Sequence, residues 1–152
     1  MDMNESPILK VDTIEQYNNL FDFETRHPQV NFVDFDTVES QKPYRMTVGF
    51  YSIFLKETVA CTINYGKTKY DFDDWTIVSI APGQTVGYST IEGIPTKAKG
   101  LLFHPDFICG TSLGQKIKKY SFFAYESNEA LLLSKEERTI VLNCMSIIKT
   151  EL

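Results

Sequence analysis

Between Val30 and His104 apolar and polar residues alternate with a period of two, and on either side they recur with the period of a helix. The first helical stretch comes early. Ile14, Tyr17 and Phe21 fall on one face, which predicts a short helix from about Thr13 to Phe23. Two pairs offer a capping box ahead of it, Asp12 with Glu15 and Thr13 with Gln16. His27-Pro28 closes the segment, because the residue before a proline is pushed out of helical space.

From Val30 onward Phe32, Asp34 and Asp36 alternate with Val33, Phe35 and Thr37. Pro43 opens the run MTVGFYSIFL, where Met46, Val48 and Phe50 alternate with Thr47, Gly49 and Tyr51. Ala60 to Tyr65 and Lys69 to Phe72 flank Gly66-Lys67, a tight turn between paired strands. Trp75 to Ile80 is a β-branched run that ends in Ala81-Pro82-Gly83, a turn sequence. Val86 to Tyr88 resumes as a strand, and Gly93 and Pro95 mark a loop before Ala98 to His104. About seven or eight short strands separated by turns read as a sandwich or a barrel.

The stretch from Lys99 to Phe123 is where the pattern changes. Leu101, Leu102 and Phe103 read as the last strand, and Pro105 cannot donate to a ladder, so the chain leaves the sheet there. Leu113, Ile117 and Tyr120 then recur at helical spacing. Further on, Ser134-Lys135-Glu136-Glu137 is a capping box ahead of a helix from about Lys135 to Lys149. Ile140, Val141, Cys144, Ile147 and Ile148 form one broad apolar stripe along it, with Glu136, Glu137 and Asn143 outside the stripe. The expected fold is mainly β with C-terminal helices. Residues 1–104 form the N-terminal helix and a barrel, and residues 105–152 a helical segment packed on it, in one domain overall.

Composition narrows the function. A chain of 152 residues buries roughly two thirds of its unfolded surface and needs no disulfide or metal to be stable. A net charge of -5 argues against a broad basic face for nucleic acid. Cys61, Cys109 and Cys144 are an odd set without CxxC or CxH spacing, so neither a disulfide framework nor a zinc site is indicated. Reduced thiols of a cytosolic protein are the expectation. MDMNESPILK has acidic residues and no long apolar core, unlike a signal peptide, and no apolar run approaches the length of a membrane span. A soluble, cytoplasmic protein without a membrane partner is expected.

Asp74-Trp75 through Ile80, the Ala81-Pro82-Gly83 turn, the run ending Leu102-Phe103-His104-Pro105 and the helical tail resemble the N-terminal half of AraC-type transcription regulators. The wording FHPDFICGTSLGQKIKKYSFF, followed by YE and NEALLLSKEER, is similar to the sensor domain of such regulators in Bacteroides-like bacteria. The resemblance covers Met46 to Lys149 well and the first forty or so residues loosely. It implies a cupin-like, double-stranded β-helix barrel, often with a ligand pocket, followed by helices through which two copies dimerise. In that family a linker and two helix-turn-helix motifs come next. Nothing here matches them, and the chain reaches Leu152 about where that linker would begin. The expectation is a sensor and dimerisation fragment, a homodimer that meets DNA only through a missing C-terminal helix-turn-helix domain.

Each candidate site has a competing structural explanation. A metal-dependent cupin needs two His and a Glu on one strand pair and a further His three residues after the glycine of its P-x-G turn. Here His27 and His104 are the only histidines, and Val86 stands three after Gly83, so no metal and no cofactor are expected. No Gly-rich phosphate loop or G-x-S-x-G elbow is present. The chain is accordingly read as a non-enzyme, the alternative being a stand-alone cupin enzyme or binding protein acting on a small metabolite.

Phe50, Tyr51, Phe54, Tyr65, Tyr70, Phe72, Trp75, Tyr88 and Phe103 read first as core aromatics. A few hydroxyls and the indole N–H also suit a cavity for a small-molecule effector. Tyr88, Tyr51, Trp75 and Tyr65, with Arg45 as a clamp, are the ligand-binding candidates. The resemblance places Tyr88 where an arabinose-responsive member has a pocket tyrosine. It also places Ala98 and Gly100 where that member has a His and a Trp, which implies a different, larger or more apolar ligand. His104 reads as a strand-end hydrogen-bonding residue in preference to a pH switch. Lys116, Lys118 and Lys119 read as a solvated face. Ile140, Cys144, Ile147 and Ile148 are the dimerisation candidates, through an isologous two-fold contact of paired helices.

Overall fold

Thr13, and not Asp12, caps the first helix, α1 (Ile14–Phe21). Its Oγ1 accepts from Gln16 N–H at 3.1 Å. Gln16 Oε1 reaches back to the Thr13 and Asp12 N–H groups at 3.2 and 2.8 Å, so the box also fastens the residue before the cap. The helix stops where Asp22 turns left-handed, with φ of 58°. The computed structural model describes residues 7–37, 44–57, 61–65, 68–70, 75–90, 97–120, 123 and 131–152; at 37, 44, 61–65, 68–70 and 88–90 it describes the backbone alone. The Gly66-Lys67 turn, Phe72 and the loop carrying Gly93 and Pro95 lie outside the described residues.

Among the described residues the strands are β1 (Ile8–Val11), β2 (Val30–Asp34), β3 (Tyr44–Val48), β4 (Tyr51–Lys56), β5 (Cys61–Tyr65), β6 (Thr68–Tyr70), β7 (Thr76–Ile80), β8 (Thr85–Thr90), β9 (Ala98–Phe103) and β10 (Leu131–Leu132). They form two five-stranded sheets, ordered β1-β3-β8-β5-β6 and β10-β7-β4-β9-β2. From β3 to β9 the chain passes repeatedly from one sheet to the other. All pairings are antiparallel except β1 with β3, which run parallel. Strand β1 was not foreseen, because four residues without a flanking turn carry too little periodicity to announce a strand.

The run MTVGFYSIFL is not one strand but two, and they belong to different sheets. The break falls at Gly49-Phe50. A Cβ on Gly49 would stand 3.0 Å from both Cα and O of Asp12, and the Gly49 N–H donates to Val11 O at 2.9 Å. Only glycine lets the crossing backbone come that close. Phe50 then drops fully buried into the space between the sheets, edge-on to Tyr17 at 5.8 Å. The Ala81-Pro82-Gly83 turn is as expected, with Gly83 at φ of 88° and Gln84 N–H donating to Ala81 O at 3.2 Å.

One core lies between the sheets. It joins Met46, Val48 and Val86 of the first sheet to Val78, Ile80, Ala98, Leu102 and Val33 of the second, with Ile14, Tyr17 and Phe21 of α1 packed into it. The second sheet has another apolar face turned away from that core, and the helices cover it. Val30, Tyr51 and Phe103 pack against Ile108, Ile117 and Phe123. Leu55 packs with Leu133 and Met145, flanked by Phe32, Trp75 and Ile77. Burying side chains of that size stabilises by about 1.5–3 kcal/mol each. The fold is mainly β with a helical C-terminus, and among the described residues no helix is long and apolar enough to cross a membrane.

Candidate functional site

Helix α4 (Lys135–Glu151) begins at the expected capping box: Ser134 Oγ accepts from Glu137 N–H at 3.2 Å, and Glu137 Oε2 accepts from Ser134 N–H at 2.8 Å. It lies on the outer face of the second sheet through Met145, with Val141 and Leu142 half-buried beside it. Near its start the Arg138 guanidinium sits 5.2 Å over the Trp75 ring, and near its end the Lys149 ammonium sits 5.8 Å over Phe32. The rest of the stripe is not covered. Ile140 and Ile147 are 62% and 64% exposed, Cys144 is exposed, and Ile148 is half-buried. The four dimerisation candidates are thus brought together along one helix, three of them facing water.

Two short helices stand beside α4. Helix α2 (Pro105–Ile108) starts at His104, whose Nδ1 accepts from Asp106 N–H at 3.2 Å, while the His104 N–H donates to Gln29 O at 2.7 Å. His104 therefore orients the turn out of the sheet, as its strand-end reading has it. Gly110, at φ of 83°, turns the chain into α3 (Ser112–Lys116), and the backbone tightens to a 3-10 turn at Ile117–Lys119. Of Leu113, Ile117 and Tyr120, which recur at the spacing of one helix face, only Ile117 is buried. The helix is too short to carry the face further.

Between α4 and the α2–α3 corner runs a groove of about 450 Å³, floored by Val30, Leu101 and Phe103 and walled by Phe107, Ile108, Leu113, Ile147, Ile148 and Leu152. His27 and Glu151 supply its polar groups. A smaller hollow of about 310 Å³ lies across Leu152, bounded by Glu24, Arg26, Asn31, Asp34 and Lys149 among others.

Of the ligand-binding candidates, Tyr51 and Trp75 lie with the second sheet and Arg45 on β3 of the first. Tyr51 stacks on Phe103 at 5.2 Å and meets Phe123 edge-on at 5.0 Å, under the helices and on the side of the sheet away from the inter-sheet core. Burial there pushes its phenol above the ordinary tyrosine range. Trp75 lies on the same outer side, half-buried between Arg138 and the β10 end, its carbonyl accepting from Leu133 N–H at 3.0 Å. Its φ of 64° is unusual for so bulky a residue. These two positions are a correction to the reading of a barrel lining. Their sheet is apolar on both faces, and a hydrophobic pattern does not say which face looks inward. Arg45 alternates with the buried Met46 and Val48 and is half-exposed. Of Tyr65 and Tyr88 the backbone alone is described: Tyr88 stands opposite Tyr44 and Ile63, and Tyr65 opposite Val86 and Thr68.

Gly100 leaves no vacant space. A Cβ there would meet the Phe54 ring at 2.6 Å and Val33 at 3.0 Å, so the phenyl group already fills the room that a small residue was expected to open for a larger ligand. Sequence reasoning also missed a charged cluster on the outer side of β9. The Lys99 ammonium lies 2.8 Å from Glu57 and 4.0 Å from Asp36. Burial by itself lowers the Lys99 pKa, but the Glu57 hydrogen bond and the charges of Glu57, Asp34 and Asp36 outweigh it and raise it. Burial and the neighbouring Asp34 push the Asp36 carboxyl up. Among the described residues no three His, Cys, Asp or Glu side chains converge as a metal site.

No family model matches the sequence, and no curated protein matches it. Among solved structures it is similar to a protein of unknown function from Rhizobium leguminosarum bv. viciae 3841. The two share 10% identity over 55% of this chain and 88% of that one, with a TM-score of 0.37. So distant a likeness says nothing of function.

Proposed function

We propose that the chain is the effector-sensing and dimerisation domain of a cytoplasmic, bacterial AraC-type transcription regulator, with a metal-free, cupin-like barrel as its sensor. The repeated passage of the chain between two facing sheets supports the cupin-like reading, since a double-stranded β-helix is wound that way. The observation that carries the proposal is the state of α4. Met145 fastens the helix to the sheet at 5% exposure, while Ile140 and Ile147 stand in water at 62% and 64%. An exposed apolar stripe on a rimmed helix is the surface a second copy would cover.

In this reading an effector binds between the sheets, near Tyr65 and Tyr88, and favours one arrangement of the helical layer. Tyr51 and Trp75 touch that layer from below, so they act as its support and not as effector contacts. The effect of the ligand is bounded by its differential affinity for the two arrangements. Light scattering over a range of protein concentrations tests the dimer: a two-fold mass at micromolar concentration is expected, and a monomer at every concentration would overturn it. A thermal-shift screen of sugars, aromatic acids and small metabolites tests the sensor, since a ligand bound only by the folded chain raises the melting temperature.

A further inference from the structure

We propose that the hollow at the free edge of β2 binds an α-amino acid with an apolar side chain, as a site separate from the barrel interior. Strand β2 ends its sheet, so among the described residues β9 is its one strand neighbour. The Gln29 carbonyl accepts from His104 N–H, which makes Gln29 and His104 a hydrogen-bonded pair. Two residues on, the next such pairs are Asn31 with Leu102 and Val33 with Gly100. The main-chain N–H and C=O of Phe32 therefore point the other way, out of the sheet. They set one donor and one acceptor side by side, and the carboxylate and ammonium of an amino acid match them in sign. The hollow beside that edge measures about 310 Å³, room for one small molecule.

The side chains around the edge carry both signs. Asn31 is 7% exposed and lines the hollow. Its Nδ2 is committed to Asn18 Oδ1 at 2.8 Å, whereas its own Oδ1 accepts from none of the described residues. That leaves a buried acceptor for an ammonium group. Arg26 uses Nε on Glu24, at 3.0 Å, and keeps the two terminal nitrogens of its guanidinium for a carboxylate. Lys149, drawn over the Phe32 ring at 5.8 Å, brings a second positive charge to the same rim. Glu24 and Asp34 in the lining balance these two cations, so a net anion or a net cation meets repulsion along with attraction. A zwitterion, with its two charges held apart, meets attraction at both ends. Phe23, half-buried, is the apolar wall for its side chain.

The test compares L-phenylalanine with three relatives: phenethylamine, without the carboxylate; 3-phenylpropionate, without the ammonium; and N-acetyl-L-phenylalanine amide, without either charge. Each is titrated into the 152-residue chain and followed by ligand-observed NMR. Phenylalanine should bind saturably, and each relative should bind about tenfold or more weakly, the scale of one charge-assisted hydrogen bond. The double variant Arg26→Gln/Lys149→Gln, changed at two exposed positions, should weaken phenylalanine by about three- to tenfold. Arg26→Gln alone should give a smaller loss, and it carries the test if the double variant does not fold. No saturable binding of phenylalanine would overturn the proposal. So would equal or tighter binding of the neutral amide, the result for an edge that takes a strand of another chain. An affinity unchanged in both variants would put the amino acid elsewhere, the space between the sheets included. That outcome overturns this site and leaves the sensor reading standing.

Discussion

Asn31 Nδ2 donates to Asn18 Oδ1 across 2.8 Å, and both side chains are buried. The Asn18 amide passes the bond on to Thr25 Oγ1 at 2.9 Å, so α1, the loop after it and β2 are tied by one chain of polar groups. Substituting Asn18→Ala strands the Asn31 donor in a buried place, which costs about 1–3 kcal/mol. A urea denaturation curve should show that loss as a lower midpoint with an unchanged slope.

Gly100→Ala places a methyl group 2.6 Å from the Phe54 ring, with Val33 at 3.0 Å behind it. Overpacking of this kind costs roughly 1–3 kcal/mol. Combining it with Phe54→Leu should restore part of the loss, and a double-mutant cycle in chemical denaturation measures the coupling.

Charge on the outer side of β9 gives two pH dependences of defined sign. Lys99 has a pKa raised above 10.5, so its stabilising contribution is complete below that value and is lost as pH rises through the higher folded value. Glu57→Gln should therefore destabilise at pH 7, by about 1–2 kcal/mol, and the deficit should shrink in strongly alkaline solution. Asp36 also has a raised pKa, above 3.8. Its contribution is complete below that value and lost as pH rises through the folded one, so the ionised group opposes folding at neutral pH. Asp36→Asn should raise the melting temperature at pH 7 and make no difference below about pH 4.

His104→Ala removes the acceptor that caps α2, at a cost of about 0.5–2 kcal/mol, whereas His104→Asn keeps a capping side chain and most of the stability. Thermal melts of the two variants side by side separate a capping role from any other role of the imidazole.

Ile140→Asp and Ile147→Asp change residues that stand largely in water, so the stability of a single chain should move by less than about 0.5 kcal/mol. Under the proposed function the same changes abolish self-association. Sedimentation velocity should show the variants as monomers where the parent chain is a dimer, with superimposable far-UV circular dichroism.

What was legible in the sequence is what local rules govern. The Ser134 and Thr13 capping boxes, the Ala81-Pro82-Gly83 turn and the exit at Pro105 depend on a few adjacent residues, and each stands where the spacing puts it. Less was legible where burial is set by distant partners. The unbroken run through Gly49 hid a crossing between sheets, because the reason for that glycine is the backbone of Asp12, far away in sequence. Tyr51 and Trp75 looked like a barrel lining because an alternating pattern marks two faces without saying which is inner. For the same reason the stripe on α4 could be read from its spacing, but not its division into a buried Met145 side and an exposed Ile140 and Ile147 side.

The second sheet is a partition wall with furnished rooms on both sides. Val30, Tyr51, Leu55 and Phe103 face the helices while Val33, Val78, Ile80 and Leu102 face the other sheet, all on the same few strands. A fragment cut after Phe103 would keep every strand from β1 to β9 and still turn a broad greasy surface to water. Such a fragment should aggregate, because the wall cannot be half-built.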